Sequence, residues 1–156
     1  MTVAQGQGGH GTRDGQDRAA APCAFCGIVA GDQSAHEVYR DDDLVGFLDT
    51  KPVFPGHVLL IPTRHLRTYD QLPGALAAHW LEVSQSLQRA VEEAMASQGS
   101  LLIMNNVVSQ SVPHLHLHVI PRTKGDGLRF WLGPRHPYPG DAEAAAVAAR
   151  IAASVR

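Results

Sequence analysis

Three histidines alternate with apolar residues in the second half of the chain. Residues 114–120 read His-Leu-His-Leu-His-Val-Ile, so one apolar residue separates His114 from His116 and another separates His116 from His118. Strict alternation predicts a β-strand with the imidazoles on one face and the apolar side chains on the other. Near pH 7 a neutral imidazole can act as a nucleophile, carry a proton or bind a metal. One strand face could therefore divide these three tasks.

The alternating pattern by itself leaves two other interpretations open. A solvated edge strand would carry the histidines only as polar residues, and a structural zinc face would use all three as ligands. The zinc face would leave no nucleophile, and it would give no role to His57, which opens the apolar segment 57–62. The flanking residues are more specific, because Gln110-Ser111-Val112-Pro113 precedes the histidines and Pro121-Arg122 follows them.

With these flanks, the segment resembles the histidine triad family of nucleotidyl hydrolases and transferases. The resemblance covers about residues 22–125. It implies that His116 attacks the α-phosphorus of a nucleotide and holds it as a nucleotidyl-imidazole, which splits one hard displacement into two easier ones. It also implies that His118 acts on the phosphate oxygens and on the proton of the leaving group, with His57 as a partner of the triad.

The same resemblance assigns residues to nucleotide binding. Asp49 corresponds to the acidic residue that accepts hydrogen bonds from the ribose hydroxyls. Ser111 and the backbone N–H groups of 109–111 would hold the phosphate oxygens where charge develops in the transition state. Without the resemblance, Asp49 and Ser111 would be interpreted as ordinary turn residues. The predicted nucleotide-binding set is Asp49, Asn105, Asn106, Ser109, Gln110, Ser111, His116 and His118.

One loop departs from the family pattern. Residues 105–110 are two residues shorter than in most members and contain no glycine. Val107 and Val108 disfavour the positive φ angles that glycine permits, so we expect the loop to follow another path. A tighter loop favours a single α-phosphoryl group with a small leaving group. Together with this preference, the resemblance implies a purine phosphoramidate or mixed anhydride as substrate. The alternatives are a dinucleoside polyphosphate hydrolase or phosphorylase, and a non-catalytic nucleotide-binding regulatory module.

The only two cysteines, Cys23 and Cys26, form a Cys-x-x-Cys pair. Such a pair permits a redox centre, half of a zinc site or a disulfide. The pattern around it does not indicate a thioredoxin-like βαβ unit, and no secretion signal supports a disulfide. The pair and the short helix predicted after it resemble the zinc-carrying bacterial branch of the family. That resemblance implies His65 and His114 as the other ligands of a closed structural zinc site.

Composition and charge limit the remaining possibilities. With 156 residues, 44% of them hydrophobic and 18% charged, the chain fits one globular domain, which we place at 22–156. A net charge of −2 with neutral histidines argues against a nucleic-acid-binding surface. We expect no membrane span and a cytoplasmic location, because no apolar run approaches about 18 residues. Residues 1–21 are poor in large apolar side chains and predict a disordered tail.

The apolar pattern predicts an α+β fold with a five-stranded antiparallel sheet. Apolar residues at steps of three and four predict one long helix over 73–97, and an alanine-rich segment predicts a second helix over 141–154. This order agrees with the fold of the histidine triad family, whose members pair into homodimers. The predicted strands are 38–39, 44–48, 58–61, 101–104 and 113–120.

Three further segments carry expectations of their own. The acidic turn 41–43 is expected to serve solvation, and His79 lies off the apolar stripe of its helix as a surface residue. The loop 124–131 ends in two aromatic residues and is expected to line the substrate site, cross a dimer or simply pack.

Overall fold

The computed structural model describes residues 23–128 and 136–155. The chain divides into two compact units between Lys124 and Gly125. The predicted tail 1–21 lies outside the described residues, as do residues 129–131 of the aromatic loop. Within the described ranges, no helix has both the length and the apolar character needed to cross a membrane.

The first unit contains a five-stranded antiparallel sheet, so the predicted fold class is confirmed. Every neighbouring pair of strands is antiparallel, and the order across the sheet is β1-β2-β3-β5-β4. Of the three inner strands, β2 and β3 are buried along nearly their whole length, as their continuous apolar sequence allows. The strands are β1 Glu37–Arg40, β2 Leu44–Leu48, β3 Val58–Pro62, β4 Gly99–Ile103 and β5 Leu117–Arg122.

Two helices of this unit cover opposite faces of the sheet. Helix α2 (Gly74–Ala94) packs Trp80, Val83, Leu87 and Val91 against one set of strand residues. Helix α1 (Ala24–Ala30) packs against the other set, Val45, Phe47, Leu59 and Ile61. Because successive strand residues point to opposite faces, these alternating sets place the helices on different sides. In the second unit, α3 (Asp141–Ser154) confirms the second predicted helix.

Strand β5 begins later than the alternation predicts. The prediction placed its start at Pro113, whereas the structure starts it at Leu117. The backbone before that point makes other bonds: the Leu115 N–H donates to the Leu66 carbonyl at 2.6 Å, and the His114 carbonyl accepts from the His116 ring at 2.6 Å. Two of the three histidines therefore lie in a connecting segment, and one lies in the strand.

The acidic turn between β1 and β2 does more than face solvent, so the expectation of simple solvation is wrong for Asp41. Its carboxylate accepts hydrogen bonds from the Tyr39 hydroxyl and from the N–H groups of Asp43 and Leu44. It also lies 2.6 Å from Nε2 of His79 on α2. His79 is thus a link between the turn and α2, across 38 residues of chain that no local pattern relates.

Candidate active site

A cavity of about 470 Å³ opens where α1 and the end of β2 approach the histidine segment. It brings together four of the predicted site residues, Asp49, Ser111, His116 and His118. The rest of its lining comes chiefly from α1, the segment after α1, and residues that end or follow β2. Sequence reasoning missed the other lining residues, Phe25, Ile28 and Lys51 among them, because nothing local distinguishes them from core or loop residues.

The neutral ring of His116 is held in one tautomer. Its Nδ1 lies 2.6 Å from the backbone carbonyl of His114, and a carbonyl oxygen can only accept. Nδ1 therefore carries the proton, and Nε2 keeps its lone pair on a ring that lines the cavity. A buried imidazole with a fixed Nδ1–H and a free Nε2 is suited to nucleophilic attack.

His118 is hydrogen-bonded to His57, and its proton lies on Nε2, whereas that of His116 lies on Nδ1. The Val53 N–H donates to Nδ1 of His57 at 3.3 Å, so the His57 proton lies on Nε2. That Nε2–H lies 2.9 Å from Nδ1 of His118, to which it donates. The remaining nitrogen of His118, Nε2, consequently carries a proton. Since His118 lines the cavity, this N–H can serve as a donor to a leaving group or to phosphate oxygens.

Burial keeps both members of this pair neutral at pH 7. Burial, together with the nearby His116 and His57, lowers the pKa of His118 to about 4, against a smaller opposing effect of Asp49. Burial also lowers the pKa of His57, again opposed by Asp49, whose Oδ2 lies 3.6 Å from Nδ1 of His57. The pair is therefore organised as neutral donors and acceptors.

Asp49 follows β2 directly and is fixed by its own turn. Its Oδ1 accepts from the Lys51 N–H at 2.8 Å, and its backbone N–H donates to the His57 carbonyl at 2.9 Å. These bonds place Asp49 and Lys51 at the cavity lining, with the Asp49 carboxylate close to His118. A carboxylate in this position can accept hydrogen bonds from hydroxyl groups of a ligand.

The other predicted nucleotide-binding residues lie in the loop before Ser111 and are outside the cavity lining. Asn106 accepts from the Tyr69 N–H at 2.9 Å, and the Gln110 amide donates to the Arg67 carbonyl at 2.6 Å. Asn105 donates to the Ser109 carbonyl at 3.3 Å. These side chains hold the loop that carries Ser111 and tie it to the segment after β3.

The loop takes the backbone conformation that its valines were expected to avoid. Val107 has φ 66° and Ser109 has φ 62°, so the expectation of a path without positive φ is wrong. A left-handed valine costs roughly 1–2 kcal/mol. The Val107 N–H donates to Oε1 of Gln110 at 3.2 Å and the Val108 N–H donates to the Asn106 carbonyl at 2.8 Å, which offsets this cost.

Beside the cavity, the structure brings together the four predicted metal ligands. One ligand atom from each of Cys23, Cys26, His65 and His114 lies within 4.8 Å of the others. The Nε2–H of His114 donates to the Pro62 carbonyl at 2.9 Å, so its Nδ1 lone pair faces the thiols. Burial and then the neighbouring Cys23 raise the pKa of the Cys26 thiol, an effect that a bound cation would reverse.

The distances in this cluster fit a tetrahedral metal. The Sγ–Nδ1 separations are 3.5 Å for Cys23–His114, 3.7 Å for Cys26–His114 and 3.2 Å for Cys26–His65. Bonds of about 2.3 Å to sulfur and 2.05 Å to nitrogen at tetrahedral angles would place these atoms about 3.6 Å apart. Two thiolates and two imidazoles are also a donor set that zinc prefers.

Comparison with known proteins identifies the family. Residues 30–125 match the family model described as HIT domain, the histidine triad domain. This chain belongs to the HIT family. The HIT protein is also 34% identical over 139 residues to Protein hit of Bacillus subtilis, a match that covers 85% of this chain and 96% of the relative. The predicted family is thus confirmed.

Solved structures agree with this family and with its fold. A HIT family protein from Bacillus subtilis superposes with a TM-score of 0.75 at 32% identity, covering 86% of this HIT protein and 98% of the other chain. A histidine triad family protein from Mycobacterium smegmatis, solved with bound zinc, superposes with a TM-score of 0.65 at 33% identity. That match covers 86% of this chain and 98% of the other.

Two relatives carry names of nucleotide hydrolases. An adenylylsulfatase of Arabidopsis thaliana is 33% identical over 108 residues, 68% of this chain and 55% of the relative. The asymmetrical bis(5′-nucleosyl)-tetraphosphatase of Schizosaccharomyces pombe is 36% identical over 91 residues, 56% of this chain and 50% of the relative. The HIT family therefore includes enzymes that hydrolyse nucleotides.

Proposed function

We propose that this HIT protein is a nucleotidyl hydrolase or transferase that works through a covalent intermediate on His116. The observation that carries the proposal is the 2.6 Å bond from Nδ1 of His116 to the His114 carbonyl, which leaves Nε2 free at the cavity. Nε2 attacks the α-phosphorus, and the bond to the leaving group breaks. The leaving group takes a proton from Nε2–H of His118. Water or another acceptor then attacks the phosphorus and expels His116.

The remaining predicted residues would hold the nucleotide during both steps. Asp49 accepts hydrogen bonds from the ribose hydroxyls, while Ser111 donates to the phosphate oxygens. His57 keeps the proton of His118 on Nε2 by donating to its Nδ1. The proposed nucleotide-binding set also contains residues of the loop that carries Ser111 to the cavity, namely Asn105, Asn106, Ser109 and Gln110.

A covalent-trapping experiment tests this mechanism. The protein is mixed with excess adenosine 5′-phosphoramidate and quenched in alkali, because phosphoramidate bonds to histidine are labile in acid. Mass spectrometry should find an adenylyl group on the peptide that contains His116. His116→Ala should show no adduct, and His36→Ala, an exposed histidine that does not line the cavity, should label as the wild type does. A protein that binds nucleotide without labelling would be a regulatory binding module instead.

The proposed substrate is a purine phosphoramidate or a mixed anhydride. The short loop 105–110 and its left-handed Val107 support a stiff phosphate pocket. One relative is named an adenylylsulfatase, which supports a mixed anhydride as the substrate. The second candidate is a dinucleoside polyphosphate, which the tetraphosphatase relative favours.

The two substrate classes are separated by their kcat/KM values in one preparation. Adenosine phosphoramidate is compared with diadenosine tri- and tetraphosphate, with and without inorganic phosphate. Faster cleavage of either dinucleotide would select the second candidate. A rate that rises with phosphate and releases a nucleoside diphosphate would identify a phosphorylase.

We also propose that Cys23, Cys26, His65 and His114 hold one structural zinc ion. The ion would link the start of α1 to the segments that follow β3 and precede β5, and it would supply no step of the reaction. The zinc-bound relative and the fit of the donor distances support this assignment. Elemental analysis of protein purified without chelators should find about one zinc per chain. Metal-free protein with unchanged thermal stability after chelation would contradict it.

The proposal includes a cytoplasmic homodimer. Free thiols that bind a metal persist in a reducing compartment, and both cysteines are free in the structure. Strand β4 lies at one edge of the sheet and exposes Leu102, which gives a second copy a surface to pair with. Light scattering coupled to size exclusion should give twice the chain mass of 16.7 kDa, and the mass of a single chain would refute the dimer.

A further inference from the structure

Helix α1 is a wall of the proposed nucleotide cavity and packs directly on its nucleophile. Phe25 and Ile28 are the buried residues of this helix, and both line the cavity. The Phe25 ring meets His116 edge-on with centroids 5.3 Å apart, and it meets His114 at 5.9 Å. The position of α1 therefore determines both the shape of the cavity and the packing of His116.

This wall is held in place from its two ends. At the carboxyl end, the Arg40 guanidinium donates to the carbonyls of Ile28 at 3.3 Å and Val29 at 3.5 Å. At the amino end, the side-chain anchors are Cys23, which precedes the helix, and Cys26 within its first turn. A helix of seven residues is too short to be stable by itself, so loss of the amino-terminal anchor should loosen it.

The same two cysteines are placed to form a bond with each other. Their Sγ atoms belong to a cluster whose ligand atoms all lie within 4.8 Å. The side of the cluster formed by Cys26 and His65 is exposed, so a small oxidant can reach it. They are the only cysteines of the chain, which leaves each thiol a single partner for an internal disulfide.

We propose that Cys23 and Cys26 are a redox modification site whose oxidation to a disulfide releases α1 from the cavity. Hydrogen peroxide is the oxidant: one S–S bond forms, the O–O bond breaks, and two protons from solvent complete two water molecules. The two thiolates lose two electrons, and the peroxide gains them. The metal dissociates because two of its four ligands are gone. The effect on turnover rests on the proposed function, whereas the release of α1 does not.

We expect oxidation of the two thiols to displace only helix α1. His114 keeps its bonds to the Pro62 carbonyl and to the His116 ring, so the sheet and the tautomer of His116 remain as they are. Without its anchor, α1 no longer holds Phe25 against the cavity. Nucleotide affinity should then fall by about tenfold or more, because a buried aromatic contact is lost.

Three measurements on zinc-loaded, full-length protein test the proposal. After peroxide treatment, a chromogenic chelator should detect one zinc released for every two thiols lost. Hydrogen exchange in peptides that cover 24–35 should accelerate at least about tenfold, while peptides of β2 and β3 keep their protection. The Kd for adenosine monophosphate, measured by calorimetry, should rise by about tenfold, and reductant with zinc should restore all three values.

The double variant Cys23→Ser/Cys26→Ser is the matched control. It should show fast exchange in 24–35 before any oxidant is added and no further change afterwards, which separates thiol oxidation from oxidation of methionine. A disulfide that forms while exchange in 24–35 stays slow overturns the proposal, as does zinc that stays bound after both thiols are oxidised. If the reduced protein fails to bind adenosine monophosphate, the proposed function is wrong, and the exchange measurement still decides on the redox site.

Discussion

His114 and His118 have the same side chain but use opposite ring nitrogens to bond to the protein. His114 is fully buried and donates through Nε2–H to the Pro62 carbonyl, which leaves its Nδ1 lone pair facing two thiols. His118 accepts through Nδ1 from His57, which leaves Nε2–H at the cavity. One ring is therefore suited to bind a metal and the other to donate a proton. In both rings, the partner of one nitrogen decides the chemistry of the other.

The largest effect is expected at the residue between them. His116→Ala should lower kcat by about 1000-fold or more, because it removes the attacking nitrogen. The Kd for adenosine monophosphate should change by only a few fold, since Asp49 and Ser111 remain in place. Single-turnover kinetics and calorimetry check the two parts. A variant that keeps a tenth of the wild-type rate would show that His116 is not the nucleophile.

The proton-donor role of His118 predicts a smaller loss that depends on the leaving group. His118→Ala should lower kcat for adenosine phosphoramidate by about 100-fold, a typical contribution of general acid catalysis. The loss should be much smaller with an adenylyl ester of 4-nitrophenol, which leaves without needing a proton. Equal losses with both substrates would show that His118 acts only by binding phosphate.

The metal side of the comparison predicts a loss of stability rather than of chemistry. Cys26→Ser should lower the Tm by roughly 10 °C, since loss of a metal ligand belongs to the costly mutation classes of about 3 kcal/mol. The kcat at saturating nucleotide should stay within about threefold, because the cluster supplies no reacting group. Calorimetric scans and initial rates on one preparation measure both. A loss of kcat well beyond threefold would show that the metal takes part in the reaction.

The sequence predicted the fold and the different roles of the three histidines only in part, for physical reasons. Alternating and helical periodicity are local, so the strands and the long helix were predicted close to their bounds. The metal ligands His65 and His114 are far apart in sequence and were found only by family resemblance. The partners that orient His114, His116 and His57 are all backbone groups, whose direction no residue type reveals: the Pro62 carbonyl, the His114 carbonyl and the Val53 N–H.

The lowered pKa of His118 predicts that acid destabilises the protein. In the folded state burial lowers this pKa to about 4, from 6.5 in the unfolded chain, so the unfolded chain binds more protons between these values. The contribution of His118 to stability is therefore fully present above pH 6.5 and declines as the pH falls towards 4. His118→Asn should show a shallower decline of Tm over this window than the wild type at equal zinc content. If the Tm of the variant and of the wild type declined equally with pH, protonation of His118 would not be a cause of the acid destabilisation.

The smallest effect concerns the two aspartates that flank β2, Asp41 in the turn before it and Asp49 directly after it. Burial raises the pKa of Asp41, but hydrogen bonds from Tyr39, from His79 and from two backbone N–H groups outweigh it and lower the pKa to about 2. This carboxylate therefore stabilises the fold above its unfolded pKa of 3.8, and the contribution is lost as the pH falls towards 2.

Two matched substitutions separate these aspartates. Asp41→Asn should lower the Tm at pH 7 by a few degrees, about 1 kcal/mol because the site is partly exposed, and leave kcat/KM unchanged. Asp49→Asn should do the reverse, raising KM while the Tm stays within about a degree, because its carboxylate faces the cavity rather than a helix. The Tm difference between Asp41→Asn and the wild type should shrink as the pH is lowered from 4 to 2.5. A difference independent of pH would mean that Asp41 acts through shape alone, and that the carboxylate charge contributes nothing to the link between the turn and α2.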